Sequence, residues 1–249
     1  MKINSDNTLG EIVSENYQAA AVFEKYQLDF CCHGQRSLSE ASQAKNLDVE
    51  SILAELDQLS ERATGNDSEQ SGGVPAGLQN WPLDLMADYV EKTHHRYVTK
   101  QIPVINQYLD KIVQVHGQRH PELATIREIF HETAGELSMH MKKEELMLFP
   151  FIRKMTSASI NGVQIAPPAF GHIANPVNAM VADHDAEAER SARIRELCND
   201  YKAPQDACNT YRLSFRLLQD FEADLHAHLH IENNILFPKS IALEPSVLS

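Results

Sequence analysis

Apolar residues recur at helical spacing in four long segments from Pro82 onward. The first begins near Pro82 and carries a stripe of His95, Val98, Ile102, Ile105, Leu109 and Ile112, with Pro103 predicting a kink. The second begins near Pro121 and runs through Leu123, Ile126, Phe130, Thr133, Leu137, His140, Glu144 and Leu148. A polar loop is expected from about Ser157 to Pro176. The third segment shows Val177, Met180, His184, Ala188, Ser191 and Ile194, and the fourth Leu217, Phe221, Leu225, His228, Glu232 and Ile235.

Ahead of Pro82 the elements are shorter. Thr8 and Ser37 each precede a Glu by three residues, the spacing of a capping box, and predict helices opening there. The first of these is expected to reach about Tyr26 through Ile12, Ala19, Val22 and Phe23. Asp48 can cap a third, with Ile52, Leu53, Leu56 and Leu59 on its apolar face. Ala63 to Gly77 is rich in Gly and Ser and nearly free of large apolar groups, the composition of a flexible linker. The expected fold is all-α: a small helical module over residues 1–62, a linker over 63–79 and an up-down four-helix bundle over 80–245. The low counts of 10 Gly and 11 Pro, beside 43% hydrophobic residues, agree with an all-helical chain.

The apolar stripes are interrupted in a particular way. Each of the four carries one His, and the second and fourth also carry a Glu. One segment occurs twice: His140-x3-Glu144-x3-Leu148-Phe149-Pro150 and His228-x3-Glu232-x3-Leu236-Phe237-Pro238. Residues i and i+4 of a helix share a face, so each copy presents an imidazole beside a carboxylate. An ionised Glu in a core is expensive unless neutralised, and no Lys or Arg lies on these stripes. A dinuclear metal centre held by His95, His140, Glu144, His184, His228 and Glu232 would neutralise both, with Glu144 and Glu232 as the bridges. His94 is the alternative to His95. Glu136 and Asp224, four residues before the His of each repeat, are candidates to orient ligands or line an ion path as well as for plain solvated neighbours. His116 falls at a helix end; His226 and His230 are expected to be exposed; His120, His131 and His172 read as surface or loop residues.

The formal net charge of −13 excludes a nucleic-acid surface, which needs Lys/Arg clusters, and would draw cations instead. No apolar run approaches a membrane span, and the first residues lack the apolar core of a secretory leader. A cytoplasmic protein is expected. Cys31, Cys32, Cys198 and Cys208 do not form a disulfide framework. Adjacent Cys31 and Cys32, beside His33 and ahead of the Ser37 helix, are candidates for redox or metal-handling thiols as well as for buried apolar residues.

Imidazole with carboxylate suits Fe, Mn or Zn, and the open dinuclear arrangement is a poor structural zinc site. The pattern His95, His140-x3-Glu144, His184, His228-x3-Glu232 resembles a hemerythrin-like domain. Joined to Asp29-Phe-Cys-Cys-His-Gly34, it resembles the repair-of-iron-centres (RIC) di-iron proteins of the YtfE/ScdA type across nearly the whole chain. The resemblance implies two non-haem Fe ions per chain, oxo- or hydroxo-bridged, on those six residues. It also implies that the protein repairs iron–sulfur proteins damaged by nitrosative or oxidative stress, by giving up iron. Two alternatives stand beside this: reduction of nitric oxide to nitrous oxide with an electron donor, and a sensor of O2, nitric oxide or redox state.

Overall fold

The structure is a computed structural model that describes residues 3–62, 74–75 and 77–249. Among these it contains helices and two isolated β-bridges, and no strand. The N-terminal module holds α1 (Leu9–Glu15), α2 (Ala19–Lys25), α3 (Leu38–Ala44) and α4 (Val49–Arg62). Both capping boxes form: Thr8 with Glu11 and Ser37 with Glu40. The two capping residues pair with each other in a β-bridge, so α1 and α3 start side by side.

The single helix expected to reach Tyr26 is two helices. Asn16 is extended (φ −143°, ψ 100°), and its side-chain oxygen accepts the Gln18 N–H at 3.1 Å. This local turn competes with the helix ladder and ends α1. Of the expected linker, residues 63–73 and 76 lie outside the described residues. Val74 and Leu78 at its far end are buried in the apolar core.

The bundle is built from four long helical runs, and three of them contain a π turn. The first is α5 (Leu83–Tyr89), π1 (Val90–His95) and α6 (Arg96–His116), which stays helical across Pro103. The second is α7 (Glu122–Lys143), π2 (Glu144–Leu148) and α8 (Phe149–Asn161). The third is α9 (Ala174–Leu197), and the fourth is α10 (Asn209–Ile231), π3 (Glu232–Leu236) and α11 (Phe237–Val247). The loop expected from Ser157 to Pro176 is shorter at both ends, because α8 continues to a left-handed Gly162 and α9 starts before Pro176. Helix α6 packs on α7 and α10, and α9 packs on the same two, which gives the square section of a four-helix bundle.

Two apolar clusters fill the interior. One runs from the module into the upper bundle and includes Phe23, Phe30, Val98, Leu137, Ile194 and Leu225. The other fills the lower end and includes Val90, Leu148, Phe149, Met180, Ile235 and Phe237. On every bundle helix the expected ligands fall between a residue of one cluster and a residue of the other. They form a polar layer across the middle of the core.

Candidate metal centre

The two Glu residues sit where their helices change pitch. The Phe149 N–H bonds to the Glu144 carbonyl and the Phe237 N–H to the Glu232 carbonyl, five residues back instead of four. Pro150 and Pro238 follow immediately, in the first turn of α8 and α11. A proline cannot donate to the ladder, so the repeated Leu-Phe-Pro marks the place where the α-helical bonding restarts. Such π turns are frequent at functional sites.

The side chains converge as two groups of four. His95, Glu144, His228 and Glu232 form one group, and His140, Glu144, His184 and Glu232 the other. Within each, one atom per residue lies within 4.8 Å of all the others. Both carboxylates belong to both groups. His95 Nε2 and His140 Nε2 lie 3.3 and 3.4 Å from Glu144 Oε2. His184 Nε2 lies 3.3 Å from Glu232 Oε2, and His228 Nε2 3.1 Å from Glu232 Oε1. His140 Nε2 and His184 Nε2 face each other at 3.0 Å. Neighbouring nitrogens held at about 2.1 Å by one octahedral ion stand about 3.0 Å apart.

Glu144 and Glu232 are fully buried, and their ionic partners among the described residues are these four histidines. Yet all four of their oxygens, with Nε2 of His95 and His228, lack a well-formed hydrogen bond. Buried polar atoms are nearly always satisfied, so a convergent set of unsatisfied ones fits a pair of cations. The electrostatics agree. Burial and mutual repulsion push the Glu144 carboxyl up, but His140 and His95 outweigh them and hold it below its ordinary value. Glu232 is held well below its ordinary value by His228 and His184 against the effect of burial. Burial would lower His140, but Glu144 and Glu232 push it up to about 9. His228, fully buried, is lowered by burial.

The residues that orient these imidazoles were not anticipated. Glu145 Oε1 lies 2.8 Å from His95 Nδ1, and Asn233 Oδ1 lies 2.8 Å from His184 Nδ1. Each is the residue immediately after the Glu of its repeat, and each holds the His of another helix. Their matching positions were the available signal. Asp183, just before His184, accepts from His140 at 3.3 Å.

The other candidates fall as follows. His94 is buried, stacks on His228 with 5.6 Å between ring centres, and bonds Asp224 at 3.0 Å; it belongs to neither group of four. Asp224 therefore touches His94. Glu136 is exposed and lines a small cavity of about 70 Å³ with His140, Asp183 and His184. His230, expected on the surface, is fully buried beneath the module, between Tyr17 and Phe30. Burial pushes its pKa down to about 3. His226 is half-buried against Phe30 and near Glu24. His116 is buried at the far end of the bundle beside Cys208, and His120 is half-buried near Asp206; His131 and His172 are exposed.

Cys31 is buried and Cys32 half-buried, and both are free thiols with sulfurs 3.8 Å apart. Contact with Cys32, together with burial, pushes the Cys31 thiol well up. Their loop is fastened to the bundle through π3. Asn233 Nδ2 donates to the Cys31 carbonyl at 3.1 Å, and Asn234 Nδ2 to the Phe30 carbonyl at 3.0 Å.

Residues 86–240 match the hemerythrin HHE cation binding domain. The chain belongs to the hemerythrin HHE cation-binding family. This hemerythrin-like chain also matches, over residues 5–60, ScdA_N, a domain of unknown function. It is 28% identical to the iron-sulfur cluster repair protein ScdA of Staphylococcus haemolyticus, over 95% of this chain and 99% of that protein. It is 31% identical to the iron-sulfur cluster repair protein YtfE of Citrobacter koseri, over 96% and 98%, and 30% identical to YtfE of Yersinia pseudotuberculosis, over 95% and 97%. Among the described residues no helix is long and apolar enough to cross a membrane.

Proposed function

We propose that this hemerythrin-like protein repairs damaged iron–sulfur clusters in the cytoplasm, with a bundle that carries two irons and gives up iron to the damaged protein. The observation that carries the reading is the pair of four-residue groups that share both glutamates. One ion would take His95 and His228, the other His140 and His184, with Glu144 and Glu232 common to both. The printed names of relatives matched over nearly the whole chain, iron-sulfur cluster repair proteins, support damaged iron–sulfur proteins as the target class; nitrosative or oxidative stress is the source of damage in this reading. When bound, iron here would supply redox and small-ligand chemistry.

The chain's own residues set how firmly the metal is held. Glu145 and Asn233 fix the rings of His95 and His184, and Asp183 that of His140. His228 Nδ1 has no such partner among the described residues. An imidazole oriented by a neighbour is the stronger ligand, so an ion on His95 and His228 would be held by one oriented ring and an ion on His140 and His184 by two. Glu136 and Asp183 line the small cavity beside His140 and His184, and would offer carboxylates to a cation passing through it.

The test is repair of an iron–sulfur enzyme inactivated by nitric oxide, with metal content read in parallel. The loaded protein should restore activity while its own iron falls. Glu144→Ala and Glu232→Ala should each hold at least one iron fewer per chain and repair poorly. Equal repair by iron-free protein, or two irons per chain in both variants, would refute the reading. Turnover of nitric oxide without iron loss would favour a reductase instead.

A further inference from the structure

The Asp29-Phe30-Cys31-Cys32 turn has a geometry that cluster repair by the bundle does not require. Asp29 Oδ1 accepts the backbone N–H of Cys31 at 3.1 Å and of Cys32 at 2.9 Å, and stands 3.3 Å from the Cys31 sulfur. Its other oxygen is 2.7 Å from His33 Nδ1. A metal-binding carboxylate braced by a histidine and by backbone is a preorganised ligand. The two sulfurs are 3.8 Å apart. A tetrahedral ion with bonds of about 2.3 Å to sulfur separates its two sulfurs by about 3.8 Å. The same ion would place a carboxylate oxygen about 3.5 Å from each sulfur; Asp29 Oδ1 is 3.3 Å from that of Cys31, and the three ligand atoms all lie within 4.8 Å of one another.

We propose that Asp29, Cys31 and Cys32 form a separate mononuclear site for a thiophilic divalent cation, Fe²⁺ in the working protein, seated against the di-iron bundle. Binding exchanges the two thiol protons for the cation and releases them to water, with no change of oxidation state. Two thiolates and one carboxylate leave a fourth position open, unlike the closed four-ligand set of a structural site, so an incoming ligand could reach the cation. Three features place it on a route out of the bundle. Cys32 Sγ lies 3.7 Å from the carbonyl oxygen of His184. Asn233 touches both sides, holding His184 Nδ1 with one end of its amide and the Cys31 carbonyl with the other. On the far side an open cleft of about 570 Å³ reaches Asp29 and Cys31. Its walls carry Glu24, Glu196, Asp200 and Glu222 against Lys45 and Arg195, a balance that favours cations. As a station for released iron the site rests on the iron-donor reading; as a binding site it stands on its own geometry.

Co²⁺ is the probe, because its thiolate complexes have a charge-transfer band in the near ultraviolet. It is added to fully reduced holoprotein with both irons in place. One Co²⁺ per chain should bind with that band. Cys31→Ser with Cys32→Ser should abolish the band while the di-iron spectrum persists. Asp29→Asn, which keeps both thiols, should weaken Co²⁺ binding by about 10- to 100-fold. Glu144→Gln with Glu232→Gln, which strikes the bundle and spares the thiols, should keep the band. Absence of the band with all thiols reduced would overturn the proposal. So would a band that survives loss of Cys31 and Cys32, or unchanged affinity in Asp29→Asn. A band without cluster repair would sink the donor reading and leave this site; repair without a band would do the reverse.

Discussion

Glu145 and Asn233 stand at the same place in the two repeats and do the same work with different chemistry. Both hold the Nδ1 of a histidine on another helix at 2.8 Å. The carboxylate favours positive charge on His95, whereas the amide accepts a hydrogen bond from His184 and adds no charge. The repeat was legible as His-x3-Glu because imidazole and carboxylate at helical spacing on an apolar stripe are conspicuous. Its next residue was not, because its partner lies on a different helix. The remaining thiols differ for local reasons. Cys208 is exposed at the start of α10, where the backbone N–H groups of Tyr211 and Thr210 lower its pKa; burial raises that of Cys198. The thiolate is the reactive form, so at neutral pH Cys208 should be alkylated well before Cys198, and faster as pH rises toward its pKa. Peptide mass spectrometry after brief iodoacetamide treatment checks the order, and equal labelling of the two would contradict it.

At the level of elements, the four long helices could be read from periodicity, but their π turns could not. A π turn adds a residue without breaking the run, and the pattern tolerates this because apolar residues resume within a turn. Only Pro150 and Pro238, each just after a shared Leu-Phe, hint at the reset. In the N-terminal module the capping boxes were legible, whereas the turn at Asn16 was hidden inside an apolar stripe that continues across it. His230 was misread as exposed because what covers it, Tyr17 and Phe30, comes from the module and not from its own helix. The module's seat is tight. A Cβ on Gly34 would stand 2.4 Å from Asn234 Oδ1 and 2.5 Å from the Phe30 carbonyl oxygen, and the latter is backbone that cannot swing aside. Gly34→Ala should therefore loosen the module at a cost of about 1–3 kcal/mol. Faster limited proteolysis between α1 and α4 is the expected result; unaltered proteolysis would show that the turn absorbs the methyl group.

Over the whole molecule, the core is two apolar clusters joined through a layer of four imidazoles and two carboxylates. With metal present the layer is neutralised; without it, the same groups must hold protons. In the metal-free protein Glu144 and Glu232 lift His140 to about 9 against the pull of burial. Unfolded, that histidine titrates near about 6.5. Between these values the folded state binds the additional proton, so its contribution is complete below about pH 6.5 and is lost as pH rises through about 9. Chelator-stripped protein should thus lose stability across that window, on the order of 1 kcal/mol per pH unit at the steepest. The loaded protein should not show this loss, because a metal-bound His140 has no proton to release there. Thermal unfolding of both forms across the window checks the sign, and parallel pH profiles would refute it.

The Asn233 amide also joins two events that would otherwise be independent. Lifting the N-terminal module takes the Cys31 carbonyl away from Asn233, and the amide that orients His184 then loses its anchor. Thermodynamic linkage makes the relation reciprocal: whatever factor docking adds to metal affinity at His184, metal adds to docking. A linkage of that kind would make the position of the module a reading of how full the bundle is, and moving the module aside would free the ring of His184.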